Sequence, residues 1–202
     1  MKKKKKSGTL STIIFLLVLV ALIFGCFFLA QKKSKERAEK QAQIEAQQTE
    51  AEKLIMMDIE QRYPVTVREV LKLYNRILQC VHNEEVSDAE VKALAGQLRC
   101  LFDDDFLQNN PYDQHVESLI LEVAEYDMLD RTIAKCEIES AKSLSEWTNE
   151  LGSFASLNVT YTIMEAKNPG RVNEKFLLRK QEDGRWKIVG WERIDNAEVE
   201  SK

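Results

Sequence analysis

The feature that most constrains this chain is an uncharged run of 22 residues, Thr9 to Ala30, reading TLSTIIFLLVLVALIFGCFFLA. As a helix at about 1.5 Å per residue it reaches about 33 Å, enough to cross a hydrocarbon core of about 30 Å. A cleaved signal peptide has a shorter apolar core and small residues before the cut, whereas Phe27 and Phe28 stand near this end. A lipoprotein reading needs a small-residue box before Cys26, and Phe24 interrupts it. An uncleaved single-pass signal anchor is the preferred reading of the three. Its flanks are both basic: Lys2 to Lys6 before it, and Lys32, Lys33, Lys35, Arg37 and Lys40 after it. A short basic tail usually stays in the cytoplasm. The expected location is therefore the cell membrane, with the N-terminus cytoplasmic and the C-terminal part extracytoplasmic.

Charge divides the chain at the same place. Residues 1–40 hold ten Lys/Arg against two Asp/Glu, which leaves 19 basic and 31 acidic residues beyond them. An acidic remainder suits no nucleic acid, whose phosphates need a basic surface. The expected partners are the lipid bilayer, through residues 9–30, and an envelope protein or a second copy of the chain.

Residues 31–63 are rich in Gln, Glu, Ala and Lys and contain neither Gly nor Pro. They favour helix but hold no heptad, so the pattern predicts a solvated helical stalk. Tyr63-Pro64 closes it. The expected organisation is a basic tail at 1–8, the span at 9–30, the stalk at 31–63, a folded domain at 64–196 and a disordered tail at 197–202.

The domain opens with a capping box, Thr66 to Glu69, followed by Val67, Val70, Leu71, Tyr74, Ile77, Leu78 and Val81 on one helical stripe. His82-Asn83 ends that helix, where a cationic imidazole gains about 0.3–1 kcal/mol from the helix dipole. Ser87 to Glu90 repeats the box and starts a second helix. Asp113 is positioned to cap a third, with His115 in its first turn facing water. The period then shortens to two. Alternation through Ala134, Cys136 and Ile138, then 157–163, 172–180 and 186–194, predicts four antiparallel strands. A turn is expected at Lys167–Gly170 and another at Glu182–Arg185. Helices followed by a meander predict an α+β fold, three helices packed on a curved sheet.

Three helices followed by a meander, together with Phe176–Lys180, the Asp183-Gly184 turn and Trp186-Lys187-Ile188-Val189-Gly190-Trp191, resemble the nuclear transport factor 2-like (cystatin-like) superfamily over residues 65–195. The membrane-anchored arrangement resembles small bacterial envelope proteins and the scaffold subunits of type IV secretion and conjugation machines. The resemblance implies a cone-shaped cavity between sheet and helices. Its candidate lining residues are Tyr74, Tyr126, Tyr161, Trp186 and Trp191, with His115 and Asp127 as further ionisable candidates. The fold hosts enzymes, binders and assembly modules alike. Tyr74 and Tyr161 fall on apolar faces and read first as core tyrosines. By parity Trp186 and Ile188 share one face of the last strand, and Trp191 the other.

No catalytic set, metal cluster or cofactor motif is found: two histidines far apart assemble neither a metal site nor a nucleophile–base pair. Asp103-Asp104-Asp105 reads as a solvated helix end. Cys80 and Cys100 could form a disulfide, but Cys136 would be left over, and free thiols are the default. The sequence thus favours a membrane-anchored, extracytoplasmic, non-enzymatic binding or assembly module. The alternatives are a small-molecule binder or enzyme using the cone, or a secretion-complex scaffold. Convergent ionisable groups in a deep cavity favour the small-molecule reading; a cavity filled by Leu, Phe and Trp favours assembly.

Overall fold

A computed structural model of the chain describes residues 48–195, together with Gln31. The expected basic tail, the span at 9–30, the start of the stalk and the tail at 197–202 lie outside the described residues. No helix among the described residues is long and apolar enough to cross a membrane. The chain divides into two units, 1–48 and 49–202, and the architecture below is that of the second.

That unit is α+β. Five helices come first: α1 (Glu50–Ile55), α2 (Val67–Asn83), α3 (Asp88–Arg99), α4 (Asp104–Asn109) and α5 (Tyr112–Met128). Five strands follow: β1 (Arg131–Ile138), β2 (Ser145–Asn149), β3 (Gly152–Glu165), β4 (Asn168–Lys180) and β5 (Trp186–Ile194). They form one open, curved antiparallel sheet in the order β1-β3-β4-β5. The fifth strand adds no width, because β2 pairs with residues 152–156 of β3 while β1 pairs with 159–165. Being polar along most of its length, β2 carries no alternation to announce it.

Both expected capping boxes form, Thr66 with Glu69 and Ser87 with Glu90. A third, Thr49 with Glu52, starts α1. Each such cap is worth about 1 kcal/mol. Because α1 begins there, residues 49–62 are no solvated spacer. Ala51, Leu54 and Ile59 are buried in the core of the domain, and Gln97 donates to the Ile55 and Met57 carbonyls at 2.7 and 3.1 Å. Asp113 does not cap α5; Pro111 occupies the N-cap without a side-chain bond.

One hydrophobic core lies between the helices and the inner face of the sheet. Ile133, Leu157, Val159, Phe176, Leu178 and Ile188 meet Val70, Leu71, Ile77, Leu94 and Leu98 there. Two bulges set which residues face inward. In β1 the register shifts between Ile133 and Lys135, so Ile133 is buried and Ala134 is exposed, not inward as its parity predicts. Asn83 fixes that bulge, accepting from Ile133 N at 2.8 Å and donating to its carbonyl at 3.0 Å. In β5 the shift falls between the Leu177 and Leu178 pairings, where Gly190 and Ile188 are the partners. The extra residue returns Trp191 to the inner face opposite Phe176, so Trp186, Ile188 and Trp191 all face the helices.

The turn between β3 and β4 comes earlier than the Pro-Gly pair suggests. Glu165 pairs with Asn168, and Ala166 and Lys167 form a two-residue turn with φ of 44° and 75°. Pro169 sits within β4 beyond the reach of β5, on locally edge backbone that needs no donor. Positive φ at two L-residues is strained. Replacing Ala166-Lys167 by Asn-Gly is expected to raise stability by about 1 kcal/mol, read as a higher urea midpoint at unchanged slope. The expected hairpin at 182–185 forms, with Gly184 at φ 84°.

The far edge of β5 is covered. Asp103 N donates to the Ile188 carbonyl at 2.9 Å, and Ile188 N to the Leu101 carbonyl at 2.8 Å, which covers that edge at Ile188. Asp103 is no solvated helix end. Its side chain is 0% exposed, accepts from Arg179 Nε at 2.9 Å and Gln181 Nε2 at 2.7 Å, and caps α4. Cys80, Cys100 and Cys136 are free thiols.

Candidate functional site

Six elements converge on one cavity, four of them through their periodicity. Helix α2 supplies Tyr74, Leu78 and His82 at intervals of four, and α5 supplies Glu122 and Tyr126 at the same interval. Strands contribute at intervals of two, Tyr161 and Ile163 from β3, and Val172 and Glu174 from β4. Ile133 and Trp191 complete the walls, enclosing about 130 Å³. Tyr126, Ile163, Val172 and Glu174 also line a wider cleft of about 720 Å³, bordered by Arg131, Arg193 and the β3–β4 turn. The small cavity is thus the inner end of a broad opening.

Its aromatic wall is fixed by packing on both sides. Tyr74 meets Phe176 edge-on at 5.3 Å and Trp191 at 5.7 Å between ring centroids, and Trp191 stacks on Phe176 at 5.6 Å. The Tyr161 hydroxyl donates to Asn75 Oδ1 at 2.7 Å. The Asn75 Nδ2 group, also buried, has no hydrogen-bond partner among the described residues.

The polar end is short of partners. His82 has a side chain with 0% exposure, stacked on Tyr126 at 4.3 Å. Neither ring nitrogen makes a hydrogen bond among the described residues, although Nε2 lies 3.5 Å from Glu122 Oε1. Burial lowers its pKa to about 4, opposed only by Asp127. A cationic imidazole capping α2 is therefore not what forms: α5 covers the ring, and desolvation outweighs the dipole. Glu174 is pushed up to about 7 by burial, with Arg193 lowering it and Glu122 raising it. Glu122 is raised as well, by burial and by Glu125; with 52% of its side chain exposed, it stands at the rim. Burial raises the Tyr74 and Tyr161 hydroxyls too.

Four of the five aromatic candidates, Tyr74, Tyr126, Tyr161 and Trp191, line this cavity. Trp186 lies elsewhere: its carbonyl takes the Tyr63 hydroxyl at 2.8 Å, and the Lys180 ammonium sits 5.6 Å from its ring. Asp127 borders a neighbouring cleft beside the loop after α2. His115 is half-buried where full exposure was expected; it packs 5.7 Å from Phe102, its Nδ1 is buried, and its pKa is lowered, chiefly by burial. His82, Glu122 and Glu174 were missed as site residues. Glu174 carried a signal, a carboxylate on the apolar alternation of Val172, Phe176 and Leu178. Among the described residues no His, Cys, Asp and Glu cluster could hold a metal ion.

Over residues 1–191 the chain matches the family described as Domain of unknown function (DUF6715). It belongs to that family. The DUF6715 match takes in the basic N-terminal run and the apolar segment as well as the α+β domain, through Trp191. The cavity-lining residues all fall inside it. No curated protein matches the chain.

Proposed function

We propose that this domain binds a small molecule at the inner end of the cleft, and that residues 9–30 hold it at the membrane with the cleft outside the cytoplasm. On this reading it is a nuclear transport factor 2-like domain used for recognition, with no reaction assigned to it. The carrying observation is His82: a fully buried imidazole with two unbonded nitrogens, in a cavity that also gathers Glu122 and Glu174. A domain stabilised only by packing gains nothing from such a residue, because an unpaired buried polar group costs about 1–3 kcal/mol. Cavities that combine aromatic walls with a few convergent polar groups are the usual form of small-molecule sites.

The assembly reading draws on the opposite face of the sheet. There Trp147, 41% exposed, stacks on Phe154 at 5.9 Å and borders a groove of about 400 Å³ with Leu177 and Val189. That face names no occupant, and the cavity is preferred.

The test is a ligand-observed NMR screen of small fragments against the full chain in maltoside micelles, repeated on Val172→Trp. Val172 lines both cavity and cleft, so the indole fills the passage between them. Fragments should bind the wild type and lose at least about ten-fold in affinity on the variant, its fold being checked by circular dichroism. Fragments that fail to distinguish the two proteins overturn the proposal.

A further inference from the structure

The inner cavity brings aromatic rings and two carboxylates together. Tyr74, Tyr161 and Trp191 offer aromatic walls, and Glu122 and Glu174 converge on the same space. The surrounding cations leave the two carboxylates under-compensated. His82 is held neutral by burial. Arg131 is engaged by Glu165 at 2.7 Å and by Glu125 at 3.1 Å, and lies 5.9 Å from the Tyr126 ring. Arg193, opposite Glu174 in the sheet, lowers that carboxyl but does not bring it back to the usual range. Asp127, the group acting on His82, adds negative charge from α5.

We infer that the cavity binds a small alkylated ammonium group, surrounded by the aromatic side chains of Tyr74, Tyr161 and Trp191 and held by Glu122 and Glu174 through charge. This rests on the small-molecule reading and narrows it. Aromatic rings attract a desolvated organic cation by their quadrupole, and a bulky ammonium sheds water more easily than a primary amine or metal ion. Size agrees: about 130 Å³ corresponds to roughly four water volumes, enough for an alkylated ammonium head but not for a large ligand. The remainder of the molecule would lie in the outer cleft, where Arg193 is placed to meet an anionic end. A bound cation also removes the penalty on the carboxylates, so binding should release Glu174's proton near neutral pH.

The probes are choline and its neutral carbon isostere 3,3-dimethyl-1-butanol, titrated by calorimetry into the full chain in maltoside micelles at pH 7.5. Choline should bind at least about ten-fold tighter than the isostere. Glu174→Gln should cut that preference by at least about three-fold while leaving the isostere's affinity unchanged, which also shows that the variant is folded. Glu122→Gln, at the exposed rim, should reduce the preference in part. Equal binding of both probes, both lost on Val172→Trp, overturns the cation inference and leaves the small-molecule reading standing. Choline failing to bind while fragments still occupy the cavity overturns it equally. If no compound binds in either experiment, the underlying reading fails with it.

Discussion

Replacing Arg179 by methionine is expected to lower the stability of the domain by about 3 kcal/mol. Methionine keeps much of the aliphatic stem, so what is removed is charge and hydrogen bonding. The Asp103 carboxylate is 0% exposed and binds Arg179 through both oxygens. Without the guanidinium it retains Gln181 at 2.7 Å and the Asp105 backbone N–H at 3.0 Å. Neither neutralises it. Desolvated carboxylates left without a cation are far costlier than exposed ones. The site also ties three pieces together: the start of α4, the outer end of β4 and the segment that covers the edge of β5. Asp105→Asn provides the control, since Asp105 is the exposed partner of the same guanidinium, and exposed pairs contribute about 0–1 kcal/mol. Urea unfolding distinguishes the two; similar small losses for both variants would contradict the account.

Between pH 4.5 and 6.5 the titrations of Glu174 and His82 are expected to act on the stability of the domain in opposite directions and largely to offset one another. The folded state raises Glu174 from 4.5 to about 7. It therefore keeps a proton that the unfolded chain releases, and this contribution is lost as pH rises through that window. His82 is lowered from 6.5 to about 4. Here the folded state refuses a proton that the unfolded chain takes up, and stability is lost as pH falls from 6.5 towards 4. Each effect reaches about 2–3 kcal/mol at its limit; Asp127 acts on His82, and Arg193 and Glu122 act on Glu174. Removing one group should unmask the other. Glu174→Gln should lose about 2 kcal/mol between pH 6.5 and 4.5, and His82→Gln should instead lose a similar amount between pH 4.5 and 7. Urea midpoints at matched ionic strength read both slopes. Parallel profiles in the two variants would show that these groups do not titrate as their burial dictates.

Much of the architecture was legible because its causes are local. The boxes at Thr66 and Ser87 are decided within four residues, and the stripe on α2 and the strand alternations follow from period alone. What escaped depends on one residue inserted or one distant neighbour. A bulge at Ala134 and another before Trp191 each add a single residue, and a single residue reverses parity for the rest of the strand. Gly190 was the only local trace of the second. The Ala166-Lys167 turn lacks the Asn-Gly signature, so Pro169-Gly170 drew attention two residues too late. Ala51, Leu54 and Ile59 looked too sparse to form a buried face, and they bury because α3 and the core supply the opposite surface. The cavity shows the same limit. Its aromatic residues could be nominated one by one from their faces, but His82 and Glu174 become site residues only when α5 and β5 close over them.

His82 is a buried imidazole with a lowered pKa and no hydrogen bond at either ring nitrogen among the described residues, in the cavity proposed to take a ligand. Long-range ¹H–¹⁵N correlation spectra of the imidazole, recorded on the full chain from pH 4 to 8, test it most directly. The expected result is a neutral ring down to pH 5 and ring-nitrogen shifts that move when a cavity-binding compound is added. A ring already protonated at pH 6, or nitrogen shifts indifferent to every compound that binds, would contradict it.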